Sequence, residues 1–118
     1  MMRHSCVYEN EADRDAATQS LQRQLGQFAN LFQNIGEVVN GFPEQVDLAT
    51  LAHKDEYNPQ MLQNNLVYGT PDEVIAKLKP YQDLGVDSFV FNMNIGLDFP
   101  RQKKSLQLFI NEVMPAFA

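Results

Sequence analysis

The sequence holds one cysteine, two histidines and no tryptophan in 118 residues. A lone thiol excludes an internal disulfide, and with it a small fold held together by cross-links. Cys6 sits in the apolar run Ser5-Cys6-Val7-Tyr8 and reads as a small buried hydrophobe. His4 and His53 stand far apart and in no ligand spacing, so no metal site is expected. Hydrophobic runs are short: none reaches the ~20 apolar residues of a membrane helix. The opening MMRHSC has no signal-peptide apolar core, which makes the cytoplasm the expected location. Positive charge is scarce, with nine Lys and Arg against fifteen Asp and Glu and a net charge of −6. That balance works against nucleic-acid and anionic-membrane partners. The largest basic group, Arg101, Lys103 and Lys104, reads as a solvated helix start. No P-loop, G-x-G-x-x-G or nucleophile motif is present.

What is present is ordinary globular material, 44% apolar and 20% charged, enough for a packed core in one domain or a piece of one. Ser5 to Tyr8 predicts a strand. Asn10 then caps a long helix whose Leu21, Leu25, Phe28, Phe32 and Ile35 share one side, with Gly36 placed to end it. Residues 36–65 break the pattern and read as an insertion. It has a turn at Gly41-Phe42-Pro43-Glu44, a short helix with Val46, Leu48, Leu51 and Ala52 on its apolar side, and a helical turn over 60–65.

Leu66-Val67-Tyr68-Gly69 predicts a second strand. Thr70-Pro71-Asp72-Glu73 follows as a helix start with a capping box, and Val74, Ile75, Leu78 and Tyr81 form the buried side of that helix. Pro80 should bend this helix or tighten its last turn. Ser88 to Asn94 gives a third strand, and a last helix from about Arg101 is expected to bury Leu106, Phe109, Ile110, Val113 and Met114. Short apolar strands joined by helical crossovers imply an α/β fold with parallel strands.

The segment Tyr68-Gly69-Thr70-Pro71-Asp72-Glu73-Val74, followed by Leu84-Gly85-Val86-Asp87-Ser88-Phe89-Val90, resembles the bacterial luciferase-like, flavin-dependent monooxygenase family near its C-terminal end. The closing Leu106 to Pro115 is similar to that family's last helix, and Cys6 to Ala12 to a strand and helix start two units earlier. The resemblance covers most of the chain outside 36–65. It implies a partial TIM barrel, about three βα units (the sixth to eighth) with parallel strands and outer helices plus a helical insertion, all within one domain, 1–118. It also implies oxidoreductase chemistry with FMN or a related flavin, a deazaflavin in some branches, that activates oxygen or passes a hydride. In the family the flavin phosphate is held largely by loops of earlier strands, outside this chain. The isolated chain is therefore expected to retain no flavin and to be inactive until a missing N-terminal barrel portion completes it. The rival expectation is an oligomerising or interaction module that self-associates through open strand edges.

In a barrel, functional groups lie at the C-terminal ends of strands. That rule selects Glu9 and Asn10, then Gly69 and Thr70, then Asn92, Asn94 and Gly96. Asp72 and Glu73 in the first helical turn oppose a phosphate at Thr70, so that motif reads as structural. Asn92 and Asn94 alternate to one side of their strand, with Phe89, Phe91 and Met93 on the other. Their amides suit a flavin or a polar substrate, and equally suit each other or loop backbone. Glu9, Glu11, Asp13 and Asp15 read as charges decorating an exposed helix start. The residues by themselves assign no catalytic group.

Overall fold

The computed structural model describes residues 1–33, 37–44, 47–51 and 54–118. Strand β1 (Met2–Val7) is followed by helix α1 (Glu11–Gln33), which starts where Asn10 Oδ1 accepts the Asp13 N–H at 2.9 Å. Next comes a small antiparallel hairpin, β2 (Val38–Val39) with β3 (Phe42–Pro43), turning on Asn40 and Gly41, both at positive φ. Helix α2 (Leu48–Leu51), a single 3₁₀ turn at Asp55–Tyr57 and helix α3 (Pro59–Asn65) lead into strand β4 (Val67–Gly69). Helix α4 (Pro71–Asp83), strand β5 (Val90–Asn92) and helix α5 (Phe99–Leu108) complete the order, and α5 runs on through a π-helical turn at Phe109–Val113.

The three longer-range strands form a parallel sheet in the order β4-β1-β5. Ser5 to Val7 pair with Val67 to Gly69 on one edge, and Met2 to His4 pair with Val90 to Asn92 on the other. Alternating side chains send the sheet into two cores. On one face Cys6, Tyr8 and Tyr68 meet Ala17 and Leu21 of α1 and Leu62 of α3. On the other Val7 and Val67 meet Val74 and Leu78 of α4, Leu108 of α5 and Val113. The protein is thus α/β with a three-stranded parallel sheet and helices on both faces, and no closed barrel forms among the described residues. Consecutive barrel units would set β4 between β1 and β5 and keep all helices on one face. Here β5 instead pairs with Met2 to His4 of β1, and α1 covers the opposite face, which removes the apolar side chains of Cys6, Tyr8 and Tyr68 from water.

Several elements depart from the sequence expectation. The 36–65 stretch opens as a hairpin, not a turn into a helix, and Asn40-Gly41 is the left-handed pair that such a tight turn demands. Ile35, Gly36, Val46, Ala52 and His53 lie outside the described residues. In α1, Leu21 is buried but Phe28 and Phe32 are mostly exposed. Its 23 residues span about 35 Å, whereas the six-residue β1 spans about 20 Å, so the helix overshoots the sheet. The second half turns its other side to α2 instead: Gly26 leaves room for the Leu51 side chain, which a Cβ would strike. After α5, the extra residue in the π turn breaks the 3.6 period. Leu108 and Val113 are buried, Leu106 and Phe109 partly so, while Ile110 and Met114 are about half exposed. The α4 signals match well. Glu73 accepts the Thr70 N–H at 2.8 Å, Val74 and Leu78 are buried, and Gly85 ends the helix at positive φ with the Val86 N–H reaching Tyr81 O at 3.0 Å.

Candidate functional site

The C-terminal ends of β1 and β4 open into a cleft of about 220 Å³ lined by Tyr8, Glu9, Asn10, Arg14, Thr70 and Glu73 among others. Parallel pairing with the Tyr8 N–H on Gly69 O at 3.1 Å brings the two strand ends side by side, so residues 60 positions apart share one wall. Of the groups expected at strand ends, Glu9, Asn10 and Thr70 meet here. Asn92, Asn94 and Gly96 do not.

The cleft's polar groups are already committed. Glu73 holds the Thr70 N–H, the donor that a phosphate at the start of α4 would need. Arg14 pairs with Asp15 at 3.0 Å and Glu11 at 3.7 Å. The Tyr8 phenol is pushed up to about 12, first by burial and next by the charge of Glu73, so it carries its proton throughout the neutral range. Beside the cleft, Lys104 Nζ binds Glu9 at 2.9 Å and Asp13 at 3.1 Å, and Arg101 binds Asp13 at 3.3 Å and Asp98 at 2.5 Å. These carboxylates and cations, which look from the sequence like two unrelated solvated helix starts, form one network joining α1 to α5. The hydrogen bond from Lys104, above all, holds the Asp13 carboxyl below its usual range.

The third strand end is arranged differently. β5 stops at Asn92, and its side chain lies 3.5 Å from His4 Nδ1 while its Oδ1 accepts the Asn94 N–H at 3.2 Å. Asn94 is exposed in the loop that follows. Gly96, at φ 77°, lies against α1, where a Cβ would come 3.1 Å from Ser20 Oγ. Phe89 and Phe91 turn to the opposite face and pack on Phe109, with Phe91 at a centroid distance of 4.4 Å. The Asn92 side chain therefore serves local partners on the α1 side of the sheet, one of them the Asn94 backbone N–H.

A flavin phosphate needs free N–H groups or unpaired cations. In this cleft the Thr70 N–H is held by Glu73, and Arg14 is paired with Asp15 and Glu11. The carboxylates of Glu9 and Glu73 line the wall and repel an anion, so the lining does not fit the phosphate. Lys77, which carries no local signal of a role, is also spent: its Nζ donates to the carbonyls of Gln63, Leu66 at 3.1 Å and Tyr68 at 2.6 Å. No periodic pattern flags such a lysine, since only the tertiary approach of α4 to the α3–β4 turn aims it at three carbonyls. Among the described residues no cluster of three or more His, Cys, Asp or Glu is placed to hold a metal. None of their helices is long and apolar enough to cross a membrane.

The fold is α/β, and the charged groups of the described strand-end cleft are engaged in ion pairs and a helix cap within the chain. All 118 residues are 34% identical to the flavin-dependent trigonelline monooxygenase, oxygenase component, of Acinetobacter baylyi, and cover 33% of its length at the C-terminal end. The chain thus spans about a third of the curated relative it matches. No family model matches the chain, and no solved structure does.

Proposed function

We propose that this chain is the C-terminal part of a flavin-dependent, luciferase-like monooxygenase and binds reduced flavin only within a completed barrel. The single observation that carries this reading is 34% identity, end to end, to a third of an oxygenase component. Two features of the molecule support the second half of the proposal. The strand-end cleft has its helix N-terminus filled by Glu73 and its arginine paired. In addition, α1 covers the face that a barrel would turn inward, where Cys6, Tyr8 and Tyr68 lie. In this reading residues 1–118 are three βα units with 36–65 inserted, and FMN or a related flavin is supplied with a site by the remaining two thirds. Asn92, Asn94 and Gly96 would border that site once α1 leaves. Trigonelline, the compound in the relative's name, is the first substrate to offer the assembled enzyme.

The test is a titration of the purified chain with reduced and oxidised FMN, followed by fluorescence, with the mass of the assembly measured in parallel. The expected outcome is a colourless protein with no saturable flavin binding. Stoichiometric flavin in the isolated chain would sink the proposal. A second reading, a non-catalytic module that self-associates, is favoured by the large apolar surface at the far end of α1.

A further inference from the structure

Both outer edges of the sheet lack a strand partner among the described residues, yet the two edges are unlike. Along β5, Val90 is 54% exposed, and Phe91 and Asn92 are only partly buried. Along β4, Val67, Tyr68 and Gly69 are all buried. An unpaired edge strand is ordinarily a template for another chain. Buried backbone groups also need partners, so something other than a strand must serve β4.

In a parallel ladder alternate residues turn their backbone groups to opposite edges. Val67 pairs with Ser5, and the Tyr8 N–H reaches Gly69 O, so Val67 and Gly69 face β1. The carbonyls of Leu66 and Tyr68 therefore face outward, as acceptors for a further strand. Lys77 takes both. From nearly two turns into α4, its Nζ donates to Leu66 O at 3.1 Å and to Tyr68 O at 2.6 Å. Its third bond goes to Gln63 O, in the last turn of α3, where helix carbonyls have no partner within the helix. An ammonium has three donors, and all three are used. Lysines usually protect an edge by keeping a solvated charge in the path of an incoming chain. Here the ammonium occupies the acceptors themselves. A strand arriving at β4 would have to break these bonds and leave a partly buried charge unpaired before it formed a ladder.

We propose that Lys77 is an edge guard, which closes the outer side of β4 to strand pairing and leaves β5 as the side of the sheet on which a strand can add. The guarded edge is also the one that β5 would take if β4 came between β1 and β5, so the same contact opposes that rearrangement. The proposal holds whether or not the flavin reading does, and its test involves no flavin. The native chain is first labelled with acetic anhydride and read by mass spectrometry. Lys77 reacts only after its contact opens, so it should label at least about tenfold more slowly than the exposed Lys103. Equal rates would overturn the proposal. Lys77→Met then keeps the stem and removes the donors, whereas Lys77→Arg keeps donors in place. At matched concentration Lys77→Met should sediment at roughly twice the parent's mean mass or more, with its helical circular dichroism retained, because the β4 edge now accepts a strand from a second copy. Lys77→Arg should sediment as the parent does. A Lys77→Met chain with the parent's mass would overturn the proposal even if it were less stable, because the contact would then only cap α3. A gain in mass accompanied by loss of the helical signal reports unfolding and would overturn it too, as would a Lys77→Arg chain that assembles like Lys77→Met.

Discussion

Cys6 and Asp13 show how much a residue's chemistry here depends on what is packed over it. Burial pushes the Cys6 thiol up to about 11. The Ser105 hydroxyl pulls it partly back, and the charge of Asp13 raises it a little further. Because the thiolate is the reactive form, iodoacetamide should alkylate the native chain at pH 8 roughly a hundredfold more slowly than the urea-unfolded chain. Equal rates in the two states would show that the β1–α1 core does not hold Cys6 as described. Asp13 behaves oppositely. Hydrogen bonding from Lys104 lowers its carboxyl below the ordinary 3.8, so the charged form is favoured by folding. Its contribution is therefore present above pH 3.8 and is lost as pH falls through the lowered native value. In urea titrations Asp13→Asn should lower the midpoint at pH 7, and the gap from the parent should close in the acid range below that value. A gap that persists undiminished at pH 2 would mean that the network with Lys104 and Arg101 contributes no charge-dependent stability.

At the scale of elements, the sheet is held where strands are missing as well as where they pair. The upper half of β1 has β4 on one edge, but β5 reaches only Met2 to His4 on the other. The Val7 N–H, left without a strand, donates instead to Ser105 Oγ on α5 at 2.8 Å, across 98 positions of sequence. Ser105→Ala should cost about 1–3 kcal/mol by orphaning a buried N–H. Chemical denaturation measures it, and a loss under about 0.5 kcal/mol would mean that water or another group serves Val7 equally well. Elements with complete local signals were legible beforehand: Asn10 starting α1, the Thr70 to Glu73 start of α4, and Gly85 ending it. Ser105 was not, because a serine in the middle of a helix becomes informative only once that helix lies over a particular strand. Arg101 and Lys104 look solvated in the sequence for the same reason, since only the fold sets Asp13 and Glu9 opposite them. The misread apolar positions of the last helix, Ile110 and Met114, follow from the π turn, whose extra residue no hydrophobic period reveals.

The whole molecule raises the question of how three parallel βα units behave with both outer sheet edges open. The parallel sheet of order β4-β1-β5 leaves its two outer edges open and covers both faces with helices. Completion of a barrel around the same strands would require α1 to leave the face it covers and β4 to come between β1 and β5. Under the function proposed above, flavin binding should therefore appear when the chain is produced together with the other two thirds of an oxygenase component. It should be weak or absent when the two parts are folded separately and mixed afterwards. Equal flavin content by the two routes would show that no such rearrangement stands in the way.

The sequence alone determined the parallel βα alternation, the capped starts of α1 and α4 and the two-sided patterning of the strands, all set by contacts within about ten residues. The tertiary structure decided the strand order, the covering of both sheet faces, the spent state of Lys77, Arg101 and Lys104, and the exposure of Phe28 and Phe32. Those outcomes depend on which edge and which face each element reaches. Edges and faces compete for partners over the whole chain, and no local pattern encodes how that competition ends.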